Sequence, residues 1–138
     1  MMMIDASGIV KLVLNEEGHK RAEEIFGKEL SSRERIVTVN LALLESLNAI
    51  WKYYALRKEL SASEFESAVD DVILIFNRLE KVSDNETARY ASSLAAKHRI
   101  SVYDAFYLAA SFLSSSPLLT FDCALKKKAE QIGIVTLS

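Results

Sequence analysis

Hydrophobic and polar positions change period repeatedly along the chain, and each change marks an element. Met2–Asp5 is an apolar run closed by a carboxylate, which predicts a short buried strand. Ser7 stands where a helix over Gly8–Leu14 would be capped. Glu17–Phe26 sets Ala22, Ile25 and Phe26 against Glu23 and Glu24, a second helix. Ile36–Val39 is β-branched and bounded by polar residues, so a strand is expected. Leu41–Leu56 follows as a long helix, apolar on most sides as far as Trp51 and therefore read as core. Ser61 and Ser63 each precede a glutamate by three residues (Glu64, Glu66), a capping-box start for a helix ending near Phe76. Lys81–Ser83 reads as a weak strand, Asp84 as the cap of a helix Glu86–His98, and Val102–Leu113 as a nearly all-apolar helix. Leu118–Phe121 predicts a buried strand, Ala124–Ile132 a basic helix stopped by Gly133, and Ile134–Leu137 a last strand. Strands alternate with helices throughout, which requires a parallel sheet covered on both faces, an α/β fold. No linker, repeat or low-complexity block interrupts residues 1–138, so one domain is expected.

Composition narrows the class. Half of the 138 residues are hydrophobic and 26% are charged, a globular ratio that excludes a disordered chain. A single Cys excludes an internal disulfide, and with two His it cannot complete a four-ligand zinc site. No apolar run approaches the ~18 residues of a membrane span, and Met1–Met3 leads straight into Asp5 without a leader pattern. The expectation is a soluble cytoplasmic protein with no membrane partner. A net charge of −2 speaks at first against a nucleic-acid partner.

Four carboxylates change that picture. Asp5 ends the first strand and Asp122 the fourth. Glu45 is the only charge between Asn40 and Trp51, and Asp104 the only one between Ile100 and Leu113. An isolated carboxylate in apolar surroundings costs several kcal/mol unless it is neutralised or paired. None of the four has a Lys or Arg three residues away, and only Lys126 lies four from Asp122. Separate explanations exist for each: caps for Asp5 and Asp122, a distant arginine for Glu45, a favourable helix dipole for Asp104. A shared cation explains all four together. In a doubly wound sheet ligands sit at the carboxyl ends of strands where the strand order reverses, and Asp5 and Asp122 both occupy such ends. Carboxylate-only clusters suit hard ions, Mg²⁺ or Mn²⁺. Setting these four aside leaves seventeen positive charges against fifteen negative, so the net charge does not exclude RNA.

In Met-Ile-Asp5-Ala-Ser7-Gly-Ile-Val-Lys-Leu, Leu-Leu-Glu45-Ser-Leu-Asn48-Ala-Ile-Trp51-Lys52, Val-Tyr-Asp104-Ala-Phe-Tyr-Leu-Ala and Leu-Leu-Thr120-Phe-Asp122, the chain resembles the PIN-domain nucleases. Within them it is similar to the VapC-like toxins of prokaryotic toxin–antitoxin pairs, in motif order, spacing and length. The resemblance implies a three-layer α/β/α sandwich with an acidic site for one or two Mg²⁺ or Mn²⁺ ions. It implies a ribonuclease using metal-activated water, a cognate antitoxin whose tail occupies the groove, and a homodimer. Asn40 stands where many relatives carry Pro, and Cys123–Ala129 lacks the further acid some relatives have, which leaves a second ion weakly held without substrate.

Roles follow as expectations. Asp5, Glu45, Asp104 and Asp122 hold the ions and are the catalytic set. Ser7 and Thr120 stand behind them to hold a metal-bound water or a phosphate, with a helix cap and a plain strand former as the alternatives, and Asn48, one turn from Glu45, orients that acid. Lys126, Lys127 and Lys128 are candidate RNA contacts, with Lys11, Lys52 and Arg33–Arg35 as further candidates; a solvated helix face is the plain alternative for the three lysines. Tyr103, Phe106 and Tyr107 are read as core or dimer contacts, Cys123 as a small buried hydrophobe, and His19 and His98 as surface residues. Two other functions fit less of the pattern. An aspartyl-phosphate phosphotransferase of receiver or haloacid-dehalogenase type needs a second early acid where Ser7 stands. A catalytically inactive binding subunit has no use for four self-repelling carboxylates.

Overall fold

The computed structural model describes residues 1–138 in full. Four strands, β1 (Met2–Ile4), β2 (Ile36–Thr38), β3 (Glu80–Lys81) and β4 (Leu118–Leu119), form one sheet in the order β3-β2-β1-β4. Every pairing is parallel: Met2 and Met3 sit opposite Ile36 and Val37, and Met3 and Ile4 opposite Leu118 and Leu119. Seven α-helices surround it: α1 (Ala6–Val13), α2 (His19–Ser31), α3 (Leu41–Trp51), α4 (Ala62–Arg78), α5 (Asp84–His98), α6 (Val102–Leu113) and α7 (Cys123–Gln131).

Parallel crossovers are right-handed as a rule, so the side on which each helix lies follows from the direction in which the sheet grows. From β1 to β3 it grows one way, carrying α1–α4 on one face. From β3 to β4 it jumps back past β1, carrying α5 and α6 on the other. The packing agrees: α1 touches α2, α3 and α4, whereas α5 packs on α6 and α6 lies on β1 and β4. The fold is a three-layer α/β/α sandwich. Met2, Met3, Ile4, Leu118 and Leu119 are wholly buried at its centre, with Ile9 and Ile50 from one helical layer and Leu108 from the other. Each such side chain contributes about 1.5–3 kcal/mol relative to exposure. No helix is long and apolar enough to cross a membrane.

Several boundaries differ from the sequence reading, each for a local reason. The cap of α1 is Asp5, whose extended backbone lets its carboxylate accept the Gly8 N–H, while Ser7 lies inside the first turn. Likewise Ser83 and not Asp84 caps α5. The third strand is Glu80–Lys81, set by pairing with Val37 and Thr38 and by the Arg35–Glu80 ion pair at 2.6 Å. At α2 the helix runs on to Ser31, past the last apolar repeat at Phe26. Helix α3 is not core all round, because Leu44 and Trp51 are exposed. Its predicted continuation to Leu56 is a π-helical turn, Lys52–Leu56. The fourth strand stops at Leu119, and Ile134–Leu137 adds only one bridge, Thr136 to Leu118. Val135 there is exposed and offers the sheet no apolar face.

Gly8 is required by close approach. A Cβ at this position would stand 2.7 Å from Ile4 Cγ1 and 3.3 Å from the Leu119 carbonyl oxygen. The bare backbone lets α1 begin directly on the ends of β1 and β4, which fixes where Asp5 points.

Candidate active site

The sheet reverses its order of growth between β1 and β4, and the residues that leave these strands meet there. Ile4 lies opposite Leu119, so Asp5 and Thr120 emerge side by side. Asp5 is only 3% exposed. Its Oδ1 accepts hydrogen bonds from Ser7 Oγ at 2.6 Å and the Gly8 N–H at 2.9 Å, and its Oδ2 accepts from Thr120 Oγ1 at 2.5 Å. Both hydroxyls are themselves fixed, Ser7 Oγ by the Phe121 N–H and Thr120 Oγ1 by the Asp122 N–H. Burial nonetheless outweighs these bonds and, with the nearby Asp122 charge, pushes the Asp5 carboxyl up to about 6.

The other acids arrive from both helical layers. Glu45, in the middle of α3, is half-buried and accepts the Tyr107 hydroxyl on Oε1 at 2.6 Å. Asp104 lies in the first turn of α6, whose cap is Ser101. Asp122 is exposed and caps α7, accepting the N–H groups of Ala124 and Leu125. Burial raises the carboxyls of Glu45 and Asp104 above the ordinary range. The Tyr107 bond lowers that of Glu45, and the charges of Asp104 and Asp122 raise it. For Asp104, the Asp122 charge adds to the rise and the Ser101 hydroxyl opposes it. Tyr107, 2% exposed, is held neutral by burial and by the Glu45 and Asp5 charges.

Asp5, Glu45, Asp104 and Asp122 all line one open cleft of about 430 Å³. Ser7 and Asn48 line it too, and Thr120 stands buried behind Asp5. None of the chain's ion pairs includes any of the four acids. No three of them stand close enough together to form a ready-made metal cage. The donor set nonetheless fits a hard divalent ion. It is all oxygen and paired with no protein cation, and Mg²⁺ commonly takes only one or two carboxylates and keeps its remaining waters.

The other candidates are spread over the molecule. Lys126, Lys127 and Lys128 do not line the cleft, and Lys126 Nζ donates to the Ser138 carbonyl. Cys123 is exposed, not buried, because it opens α7 at the surface. His19 is a structural peg, with Nδ1 at 2.7 Å from the Lys11 carbonyl and Nε2 at 3.1 Å from Glu23. Tyr103 is exposed, and Tyr107 is buried in the core as expected but also lines the cleft. Its signal was its place one turn beyond Asp104 on the same helix. Glu16, Tyr53 and Arg57 also line the cleft. Arg57 carried no periodic signal, because it reaches the cleft only through the π-helical turn.

Residues 2–131 match the sequence model of the PIN domain. The chain belongs to the PIN-domain family. Ribonuclease VapC3 of Pyrobaculum aerophilum is 33% identical over 127 residues, covering 92% of this chain and 93% of that protein. The crystal structure of PAE2754, also from Pyrobaculum aerophilum, superposes with a TM-score of 0.71 over 99% of this chain and 90% of that one. At 20% identity that likeness speaks for the fold alone. The three-layer PIN fold and the VapC-like character expected from the motifs are thereby borne out.

Proposed function

We propose that this PIN-domain protein is a Mg²⁺- or Mn²⁺-dependent endoribonuclease that acts as the toxin of a toxin–antitoxin pair. The observation that carries the activity is the convergence, at the reversal of strand order, of four carboxylates that no protein cation neutralises. Three of them are pushed toward protonation by burial and mutual repulsion. Such a cluster is poised to gain from a divalent ion.

When bound, a divalent ion supplies positive charge beside the scissile phosphate and lowers the pKa of water. Asp5, Glu45, Asp104 and Asp122 are the residues that would hold one or two ions. Ser7 and Thr120 occupy both oxygens of Asp5 from the protein side and so fix its orientation. Tyr107 does the same for one oxygen of Glu45, leaving the other to the cleft. Asn48, exposed one turn from Glu45, is available to a water or to the substrate.

The relationship to a protein named Ribonuclease VapC3 supports RNA as the substrate and, with it, a cognate antitoxin; a cytoplasmic homodimer belongs to the same proposal. Purified protein incubated with structured and unstructured RNAs should cleave with Mn²⁺ and not with EDTA. Asp5→Asn and Asp104→Asn should abolish the cleavage. Cleavage that persists in either variant would sink the reading.

A further inference from the structure

The wall of the cleft beyond the carboxylates is basic and comes from an irregular piece of backbone. After Trp51 the α3 helix widens into a π-helical turn, in which the Arg57 N–H bonds the Lys52 carbonyl five residues back at 2.9 Å. Such turns concentrate at functional positions, because they re-aim side chains that an α-helix would send apart. Here Lys52 and Arg57 both line the cleft that holds the four acids.

Arg57 is held in place by a relay. Its guanidinium lies 4.5 Å from the centre of the Tyr53 ring. The Tyr53 hydroxyl donates to Glu16 Oε2 at 2.7 Å, and Glu16 Oε1 accepts from Lys11 Nζ at 2.9 Å. Lys11 is thus neutralised by Glu16. Lys52 and Arg57 belong to no ion pair, although four unpaired carboxylates line the same cleft. No ion pair joins these two cations to the four acids.

We infer that Lys52 and Arg57 form a subsite for the backbone phosphates of single-stranded RNA next to the cleavage point. The inference rests on the ribonuclease reading above. A ligand that completes this cleft brings cations to one half and anions to the other, which describes a polyphosphate chain met by divalent ions. An acidic peptide carries no phosphate to bridge to such ions and must pass the four acids. A cleft of about 430 Å³ has the size of a small-ligand pocket and admits a nucleotide or two of single strand. The planar guanidinium, pre-set on Tyr53, is suited to grip two phosphate oxygens at once, and the flexible Lys52 supplies a point charge. Because Arg57 covers a face of the Tyr53 ring, that ring serves as its platform and not as a base-stacking surface.

The test is the salt dependence of RNA binding, measured with a labelled single-stranded oligoribonucleotide at constant Mn²⁺ in the Asp104→Asn background. Each lost phosphate contact lowers the slope of log affinity against log salt by about 0.7 for a single strand. Lys52→Gln and Arg57→Gln should each show that loss, and the double variant about twice it. Arg57→Lys should keep the slope, and Lys97→Gln, on an exposed face of α5, should leave it unchanged. Melting curves establish that each variant is folded. An unchanged slope in the folded double variant, with wild-type cleavage intact, overturns the subsite and leaves the nuclease. A lowered slope with no wild-type cleavage supports the subsite and overturns the nuclease reading. Binding of an oligoglutamate peptide through Lys52 and Arg57, with no binding of RNA, overturns the proposal in favour of an acidic protein partner.

Discussion

Tyr107 donates its hydroxyl hydrogen to Glu45 Oε1 at 2.6 Å, and this one bond ties the α6 layer to the α3 layer beside the cleft that both residues line. The ring is buried, so Tyr107→Phe keeps the packing and removes only the bond. Hydrogen bonds to a charged group contribute about 1.5–3 kcal/mol, and the half-exposed Glu45 recovers part of that from water. Stability should therefore fall by only about 1 kcal/mol. The bond lowers the Glu45 carboxyl, so its loss should move the acid limb of the pH–rate profile to higher pH. With Glu45 free to rotate, kcat should fall about tenfold at little change in KM, equivalent to about 1.4 kcal/mol of misplacement. An unchanged pH profile would show that Tyr107 does not position Glu45.

Asp5 gives the metal-free protein an unusual response to pH. Burial raises its carboxyl from 3.8 to about 6, so the folded chain holds a proton that the unfolded chain has released. Below about pH 4 both states are protonated and this group contributes its full share. As pH rises through 6 that share is lost, and it amounts to about 3 kcal/mol. Asp5→Asn keeps an acceptor for Ser7 and Gly8 and removes the charge. In EDTA it should melt several degrees higher than wild type at pH 7.5, with the gap closing near pH 4. A gap of the same size at both pH values would place its origin outside the carboxyl's ionisation.

Both predictions depend on features of different legibility. Asp5 and Asp122 could be read from the sequence because a carboxylate after an apolar strand is a local pattern. Glu45 and Asp104 could be read because each is a lone charge in an apolar helix. Such contrasts survive without coordinates. The network around them does not: Thr120 reaches Asp5 across 115 residues, and Tyr107 reaches Glu45 across 62, through strand register and layer packing. Asp5 and Asp122 also turned out to be caps and cleft residues together, two roles that spacing alone presents as alternatives. The π-helical turn escaped for another reason. Its bonds skip five residues, and no 3.6-residue pattern registers them.

Adding a divalent ion should reverse the electrostatic strain. A ligand that binds only the folded state stabilises it by about 2.7 kcal/mol at a hundred times its dissociation constant. Mn²⁺ should thus raise the melting temperature of wild type in a saturable way, and EDTA should reverse the rise. Asp104→Asn removes a carboxyl that burial and Asp122 already push toward protonation, so without metal the variant should be at least as stable as wild type. It should also lose most of the Mn²⁺ increment. Calorimetric titration provides a readout independent of cleavage. Equal Mn²⁺ stabilisation of wild type, Asp5→Asn and Asp104→Asn would place the ion elsewhere.

Gly8→Ala tests whether the site depends on how closely α1 approaches the sheet. The new methyl would stand 2.7 Å from Ile4 Cγ1, a methylene of a wholly buried β-branched side chain with little freedom inside the sheet, and 3.3 Å from the Leu119 carbonyl oxygen. Neither neighbour yields without moving β1 or β4. Ala favours a helix by about 1 kcal/mol over Gly, whereas overpacking a core costs about 1–3 kcal/mol, so the net effect should be destabilising by up to about 2 kcal/mol. Moving α1 outward also lengthens the Gly8 N–H bond to Asp5 Oδ1 and turns the carboxylate away from Thr120. Activity should therefore fall further than stability, and the loss should persist at temperatures where the variant is fully folded. A variant that melts lower but cleaves normally when folded would separate the close approach from the placement of Asp5.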